Sequence, residues 1–266
     1  FDSAFKSIPH LICFAMKANS NLAILRIFIK EGAGVDVVSG GELYRALKAG
    51  ADPQKIVYAG VGKSKEEIKY ALESGLLMFN VESGQELETI DEIARQMGLK
   101  APIALRVNPD VDPQTHPYIS TGLKKNKFGI DISIALDHYK LAKKAKNLQI
   151  VGIHTHIGSQ ITEIGPFVEA VKRLVFLLGK LKNEDITIEY MDLGGGLGIT
   201  YNVEEPPHPK HLAGALIPYL AKIGCTVIFE PGRVIVGNAG VLITQVLYTK
   251  STTEKNFVIV DAGMND

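Results

Sequence analysis

Between residues 11 and 230 a short β-rich run gives way to a segment of helical period again and again, and this alternation limits the fold more than any other feature. The β-rich runs fall at residues 11–18, 34–39, 56–59, 78–81, 103–108, 150–157, 187–193 and 226–230. The amphipathic segments lie at 21–31, 41–49, 64–74, 84–98, 134–146, 166–182 and 209–223, several opened by Ser, Asn or Gly and closed by Gly. Strict β/α alternation predicts a parallel sheet with helices outside it. The β-rich runs are almost continuously apolar, as strands covered on both faces must be, and eight of them in about 250 residues is the length of a closed (β/α)8 TIM barrel. A doubly wound open sheet is the alternative. Past Gly237 the alternation stops, and 241–249 and 257–260 pattern as a hairpin. The expected organisation is therefore a barrel over residues 1–238 and the first strands of a second, C-terminal β domain over 239–266. The segment 109–129, broken by Pro109, Pro113, His116 and Pro117, is too long for an ordinary βα loop and is expected to cover the barrel mouth.

Charge excludes some partners. Lys plus Arg and Asp plus Glu both number 29 among 266 residues, and basic and aromatic residues do not interleave, which argues against nucleic acid and anionic membrane surfaces. The short basic run Lys124, Lys125, Lys127 reads as a solvated loop. The longest uncharged stretch, 234–249, is interrupted by Gly237, Asn238, Gly240, Thr244 and Gln245, whereas a spanning helix needs about 20 mainly apolar residues. Cys13 and Cys225 are too few for a disulfide framework or a zinc cluster, and both sit in apolar runs, which fits core thiols in a reducing cytoplasm. The chain opens on Phe1 and stops at Asp266 just after a strand-like run, so further sequence is expected at both ends.

Unusual polar groups and glycines recur at the C-terminal ends of the expected strands: Lys17; Asp36 and Ser39; Arg106 and Asn108; His154, His156 and Ser159; Gly194, Gly195 and Gly196; Glu230 and Arg233. In a parallel barrel these ends share one face, the one that carries chemistry. Taken singly, each residue has a plain use and a chemical one. Lys17 is either a rim lysine leaving for solvent or a Schiff-base nucleophile whose ammonium an apolar strand end partly desolvates. The glycine run is either a flexible turn or a phosphate cradle, where missing Cβ atoms let backbone N–H groups close on an anion, and barrels often bind phosphate after strands seven and eight. Its spacing does not suit a dinucleotide fingerprint. In Glu230-Pro231-Gly232-Arg233 the two charges form either a rim ion pair or two separate tools, a carboxylate for a heterocyclic nitrogen and a guanidinium for phosphate or carboxylate. His154 and His156 flank Thr155 in an expected strand, so only one of them should face the mouth and they should not form a paired metal site. No spacing of His, Asp and Glu elsewhere suggests a metal set.

With these residues assembled, the chain resembles the fold-type III pyridoxal-phosphate-dependent amino-acid decarboxylases. The matching pieces are Phe14-Ala15-Met16-Lys17-Ala18-Asn19, Val35-Asp36-Val37-Val38-Ser39-Gly40-Gly41-Glu42, Arg106-Val107-Asn108-Pro109, the loop through Thr115 to Gly122, Lys127-Phe128-Gly129, His154 to Gln160, the glycine run and the Glu230 to Arg233 turn. The elongated loop after Asn108 and the Gly158-Ser159-Gln160 step resemble the diaminopimelate branch more than the ornithine or arginine branches.

The resemblance implies an alanine-racemase-like barrel that holds pyridoxal 5'-phosphate covalently on Lys17, with His156 stacked on its ring. It implies that Ser159, Gly194, Gly195, Gly196, Gly232 and Arg233 serve the phosphate region, with Pro231 in the same turn. Glu230 would partner the ring nitrogen, Asp36 and Arg106 would belong to the ring surroundings, and Arg233 would also reach the substrate. Lys17, His156 and Glu230 are the catalytic candidates, and no metal is implied. An acid at the ring nitrogen favours decarboxylation over racemisation, for which an arginine is expected there. The implied reaction converts meso-2,6-diaminopimelate to L-lysine, the last step of lysine biosynthesis. The same barrel also suits decarboxylation of ornithine, arginine or carboxynorspermidine, or a noncatalytic cofactor-binding regulator. The family completes its site across a homodimer interface with residues of the C-terminal β domain, so these 266 residues are expected to bind cofactor without efficient turnover.

Overall fold

The computed structural model describes residues 1–112 and 127–263. Eight parallel strands close on themselves: β1 (His10–Ala15), β2 (Gly34–Val37), β3 (Ile56–Tyr58), β4 (Met78–Val81), β5 (Ala101–Asn108), β7 (Leu148–His154), β8 (Tyr190–Asp192) and β9 (Thr226–Phe229). Neighbours in sequence are neighbours in space from β1 to β5 and from β7 to β9, and the β9–β1 and β5–β7 pairings complete the ring. The open sheet is thereby excluded. A two-residue strand, β6 (Ile130–Asp131), adds to the end of β5 and escapes sequence reading because it is too short to show a period.

The strands close into a barrel because they are apolar on both faces. Leu105, Val107, Ile153 and Val227 are fully buried with the helix-packing core, while Cys13, Val57, Met78, Ala104 and Ile228 form a second buried cluster. The helices are α1 (Asp2–Phe5), α2 (Leu22–Lys30), α3 (Gly40–Ala49), α4 (Lys65–Ser74), α5 (Gly84–Met97), α6 (Ala135–Lys144), α7 (Gly165–Asn183), α8 (Pro209–Leu220) and α9 (Arg233–Val236). Ser39, Ser64 and Ser83 accept from backbone N–H groups of the first turns of α3, α4 and α5, and Glu67 returns the bond to Ser64 in a capping box. Each of these serines follows a strand, so the cap that starts the helix also directs the chain away from the barrel rim.

Beyond α9 the chain forms an antiparallel hairpin of β10 (Val246–Ser251) and β11 (Asn256–Val260). Val241, Leu242, Ile243, Tyr248, Phe257 and Val258 are exposed there. The expected mouth-covering segment 109–129 has its central residues 113–126 outside the described residues. Cys13 and Cys225 are both free and buried. Among the described residues no helix is long and apolar enough to cross a membrane.

Candidate active site at the C-terminal ends of the strands

Lys17 does not end β1 as the sequence suggests. The strand stops at Ala15, and Met16–Ala18 form a single 3-10 turn that lifts the lysine over the barrel mouth. Its Nζ donates to Asp36 Oδ2 at 2.7 Å, with the lysine side chain 48% exposed and the aspartate side chain 0% exposed. Asp36 reaches this position because β2 pairs with β1 in the register Ala15 to Asp36. Burial and the nearby Glu230 charge push the Asp36 carboxyl up to about 7 against the pull of Lys17. Burial works against the charge on Lys17, yet Asp36 and Glu230 outweigh it and raise the ammonium above its ordinary value.

Glu230 follows β9 and is buried, and it does not pair with Arg233, so the rim ion pair is not formed. Its Oε1 accepts from Asn80 Nδ2 at 3.3 Å, and its Oε2 lies 3.5 Å from His154 Nε2. Asn80 also reaches Asp192 Oδ2 at 3.4 Å, so its amide bridges the Asp192 and Glu230 carboxyls, whose oxygens lie within 4.8 Å of each other. Burial and the Glu230 charge hold Asp192 well above the carboxylate range. Burial also opposes ionisation of Glu230, but His154, Lys17 and the Asp192 hydrogen bond outweigh it and take its pKa below the ordinary value. Burial holds the His154 imidazole below its ordinary value, with Glu230 acting in the opposite direction.

The expectation that only one of His154 and His156 faces the mouth fails for a simple reason. Residues two apart in a strand share a face, so alternation does not set His154 and His156 on opposite sides, and β7 in any case ends at His154. His154 points into the barrel, while Nδ1 of His156 accepts from Gly195 N–H at 3.2 Å. Burial, followed by the charges of Arg106 and Lys17, holds His156 well below its ordinary value and therefore neutral.

Arg106 projects from β5 and donates to Glu82 Oε1 at 2.6 Å, both side chains being almost fully buried. Glu82 also accepts from Gly129 N–H at 2.9 Å and Gly60 N–H at 3.3 Å, tying two loops and strand β5 to one carboxylate.

The turn Gly194–Gly196 follows β8. Gly194 has φ +65°, and a Cβ on it would lie 2.7 Å from the Thr155 carbonyl; one on Gly195 would lie 2.2 Å from the Glu230 carbonyl. Only glycine lets the turn press this closely on its neighbours. A Cβ on Gly196 would approach the Gly158 carbonyl to 2.6 Å, which places Ser159 beside the turn. Arg233, first residue of α9, donates to Ser159 Oγ at 3.3 Å and to the Tyr201 hydroxyl, while its Nε is buried with no partner. Pro231 accepts from Ala15 N–H at 3.1 Å, and Gly232 packs against Ala15 and Ala18, so this turn and the lysine turn are built on each other.

Sequence reasoning missed Asn80, Glu82 and Asp192 as site residues. Asp192 stands two residues before the glycine run, Asn80 interrupts the apolar run 78–81 and Glu82 directly follows it. His154, Asp192 and Glu230 also present ligand atoms within 4.8 Å of one another, a grouping that spacing alone does not reveal because the three come from different strands.

Fold and site together define a (β/α)8 barrel with a lysine, buried acids and a closely packed glycine turn at one mouth. The chain belongs to the pyridoxal-dependent decarboxylase family: residues 1–237 match its pyridoxal binding domain. It is 54% identical over 267 residues to diaminopimelate decarboxylase of Haemophilus influenzae and 54% identical over 268 residues to that of Aquifex aeolicus, covering 100% of this chain and 64% of each relative. The structure of diaminopimelate decarboxylase from Helicobacter pylori complexed with L-lysine superimposes with a TM-score of 0.94 at 48% identity, over 100% of this chain and 67% of that one. The chain thus spans just under two thirds of the length of these curated relatives.

Proposed function

We propose that this chain is the cofactor-binding barrel of a decarboxylase that converts meso-diaminopimelate to L-lysine. The observation that carries this reading is the 54% identity to diaminopimelate decarboxylases along the whole chain. The residues present also fit pyridoxal 5'-phosphate. A primary amine stands at the mouth beside a buried acid, and the Ser159 hydroxyl and the guanidinium of Arg233 lie together beside the glycine turn as donors for a phosphate. The bound cofactor supplies an electron sink for the electron pair left when CO2 departs.

The rest of the chemistry belongs to side chains. Lys17 Nζ is the amine that joins the cofactor, and it must first lose a proton, for which Asp36 Oδ2 at 2.7 Å is the acceptor in place. Glu230, buried and anionic, partners the ring nitrogen and keeps it protonated. His156 is held neutral and tethered to Gly195, which suits a ring-stacking role that adds no charge. Arg106, neutralised by Glu82, belongs to the ring surroundings. Arg233 spans the phosphate region and the substrate side, with Pro231 and Gly232 fixing its turn.

Residues 1–238 form the cofactor barrel, and 239–266 begin a second β domain. The exposed apolar residues of β10 and β11 support that division. The complete protein acts as a homodimer on a small amino acid in the cytoplasm, without nucleic acid. The free, buried cysteines accord with a reducing compartment. The test is CO2 release by a chain extended to the length of the relatives, from meso-diaminopimelate, ornithine, arginine and carboxynorspermidine side by side. Turnover confined to diaminopimelate is expected; preference for another of these substrates would overturn the assignment.

A further inference from the structure

Asp192 is the last residue of β8 and its side chain is completely buried. Three groups surround it. Oδ1 accepts from Gly194 N–H at 2.9 Å, Oδ2 faces Asn80 Nδ2 at 3.4 Å, and a carboxyl oxygen lies within 4.8 Å of one on Glu230. Asn80 donates to Glu230 as well, at 3.3 Å, so a single amide spans the two acids. The backbone repeats the connection, because Glu230 N–H donates to the Gly194 carbonyl at 2.8 Å. Two buried carboxyl groups this close share one proton rather than ionise together, since two like charges at that separation repel strongly in a poorly solvated space. Glu230 is the better site for the charge: Lys17 and His154 lie on its side, while Asp192 has a backbone amide and a shared amide donor.

We propose that Asp192 is a positioning residue that keeps the shared proton, donates it to Glu230, and so locks the charged carboxylate to the glycine turn. Resting on the assignment of Glu230 to the cofactor's ring nitrogen, this makes one side chain the link between the two ends of the cofactor site. Glu230 cannot then rotate away or share its charge without breaking a bond to the phosphate turn.

A neutral donor is replaceable by another neutral donor. Asparagine at this position still accepts from Gly194 and still donates to Glu230, whereas alanine does neither. The experiment loads the chain with pyridoxal phosphate labelled with 15N in its ring and records the ring nitrogen shift together with the cofactor Kd. Asp192→Asn is expected to keep the protonated-ring signal and a Kd within about twofold of the parent. Asp192→Ala is expected to move the signal toward the unprotonated ring and weaken binding roughly tenfold, the size of one lost hydrogen bond to a charged group. If Asp192→Ala does not fold, Asp192→Ser, too short to reach Glu230, takes its place with the same expectation. Glu230→Gln should move the ring signal in every case. A ring signal unchanged in Asp192→Ala or Asp192→Ser but moved in Glu230→Gln overturns the role of Asp192 alone. A shift in Asp192→Asn as large as in the truncated variant overturns the neutral-donor assignment. A ring signal unmoved by Glu230→Gln overturns the Glu230 assignment itself and, with it, this inference.

Discussion

Lys17 Nζ stands 2.7 Å from Asp36 Oδ2, tethering a half-exposed cation to a carboxylate with no solvent contact of its own. Asp36 lies in β2 opposite Ala15, and Lys17 sits in the 3-10 turn directly after β1, so the barrel's register places the carboxylate and a tight turn places the cation. A lysine free in solvent would have no fixed position from which to bond a cofactor. The tether supplies that position, with an acceptor for the proton that must leave.

The first expectation concerns pH. Burial, reinforced by Glu230, raises Asp36 from its ordinary 3.8 to about 7, with Lys17 only partly compensating. Between those values the folded chain holds a proton that the unfolded chain has released, so the stability from this group is full below about pH 4 and is lost as pH rises to about 7. Asp36→Asn removes this dependence. Urea midpoints of both proteins from pH 5 to 8 should show parent stability falling relative to the variant up to about pH 7 and levelling off above it. A relative rise would contradict the assignment.

Glu82 anchors the opposite side of the mouth. Removing it as Glu82→Ala strands the buried Arg106 guanidinium and frees the Gly129 and Gly60 amides. Breaking a buried pair from one side costs on the order of 3–5 kcal/mol. Equilibrium urea unfolding measures this, and a cost below about 1 kcal/mol would show that the pair is solvated.

Glycines separate into those that must be glycine and those that need not. Gly195→Ala places a Cβ 2.2 Å from the Glu230 carbonyl, so the turn must shift, at roughly 1–3 kcal/mol, and cofactor affinity should fall with it. Gly214, inside α8, has open space where its Cβ would be, and Gly214→Ala should stabilise by up to about 1 kcal/mol. Thermal unfolding and cofactor titration of the two variants should move in opposite directions.

Glu230→Gln, in a chain extended to the relatives' length, should lower kcat by about 10²-fold while cofactor affinity changes only a few-fold. The lost interaction is an electrostatic one that matters most when charge develops in the reaction. Equal kcat in the two proteins would remove the ring-nitrogen role.

The barrel was legible because its signal is repeated: apolar runs and helical periods alternate, and serine caps mark helix starts at Ser39, Ser64 and Ser83. The grouping of polar residues at strand ends was legible for the same reason, since parallel strands deliver their ends to one face. What stayed hidden depended on where a strand stops. Lys17 reads as the end of β1 and lies in a turn beyond it; His156, two residues past the end of β7, follows no strand alternation, which would in any case place it on the face of His154. Asn80, Glu82 and Asp192 were hidden for a different reason. Their partners are Glu230, Arg106 and Gly194, and apart from Gly194 these come from other strands, so only closure of the barrel brings them together.

Whether Lys17 holds pyridoxal phosphate is tested by borohydride reduction of the cofactor-saturated chain followed by peptide mass spectrometry. One reduced cofactor adduct is expected, on the peptide containing Lys17, and none in Lys17→Ala. An adduct on a different lysine, or a folded, cofactor-saturated chain with no adduct at all, would contradict it.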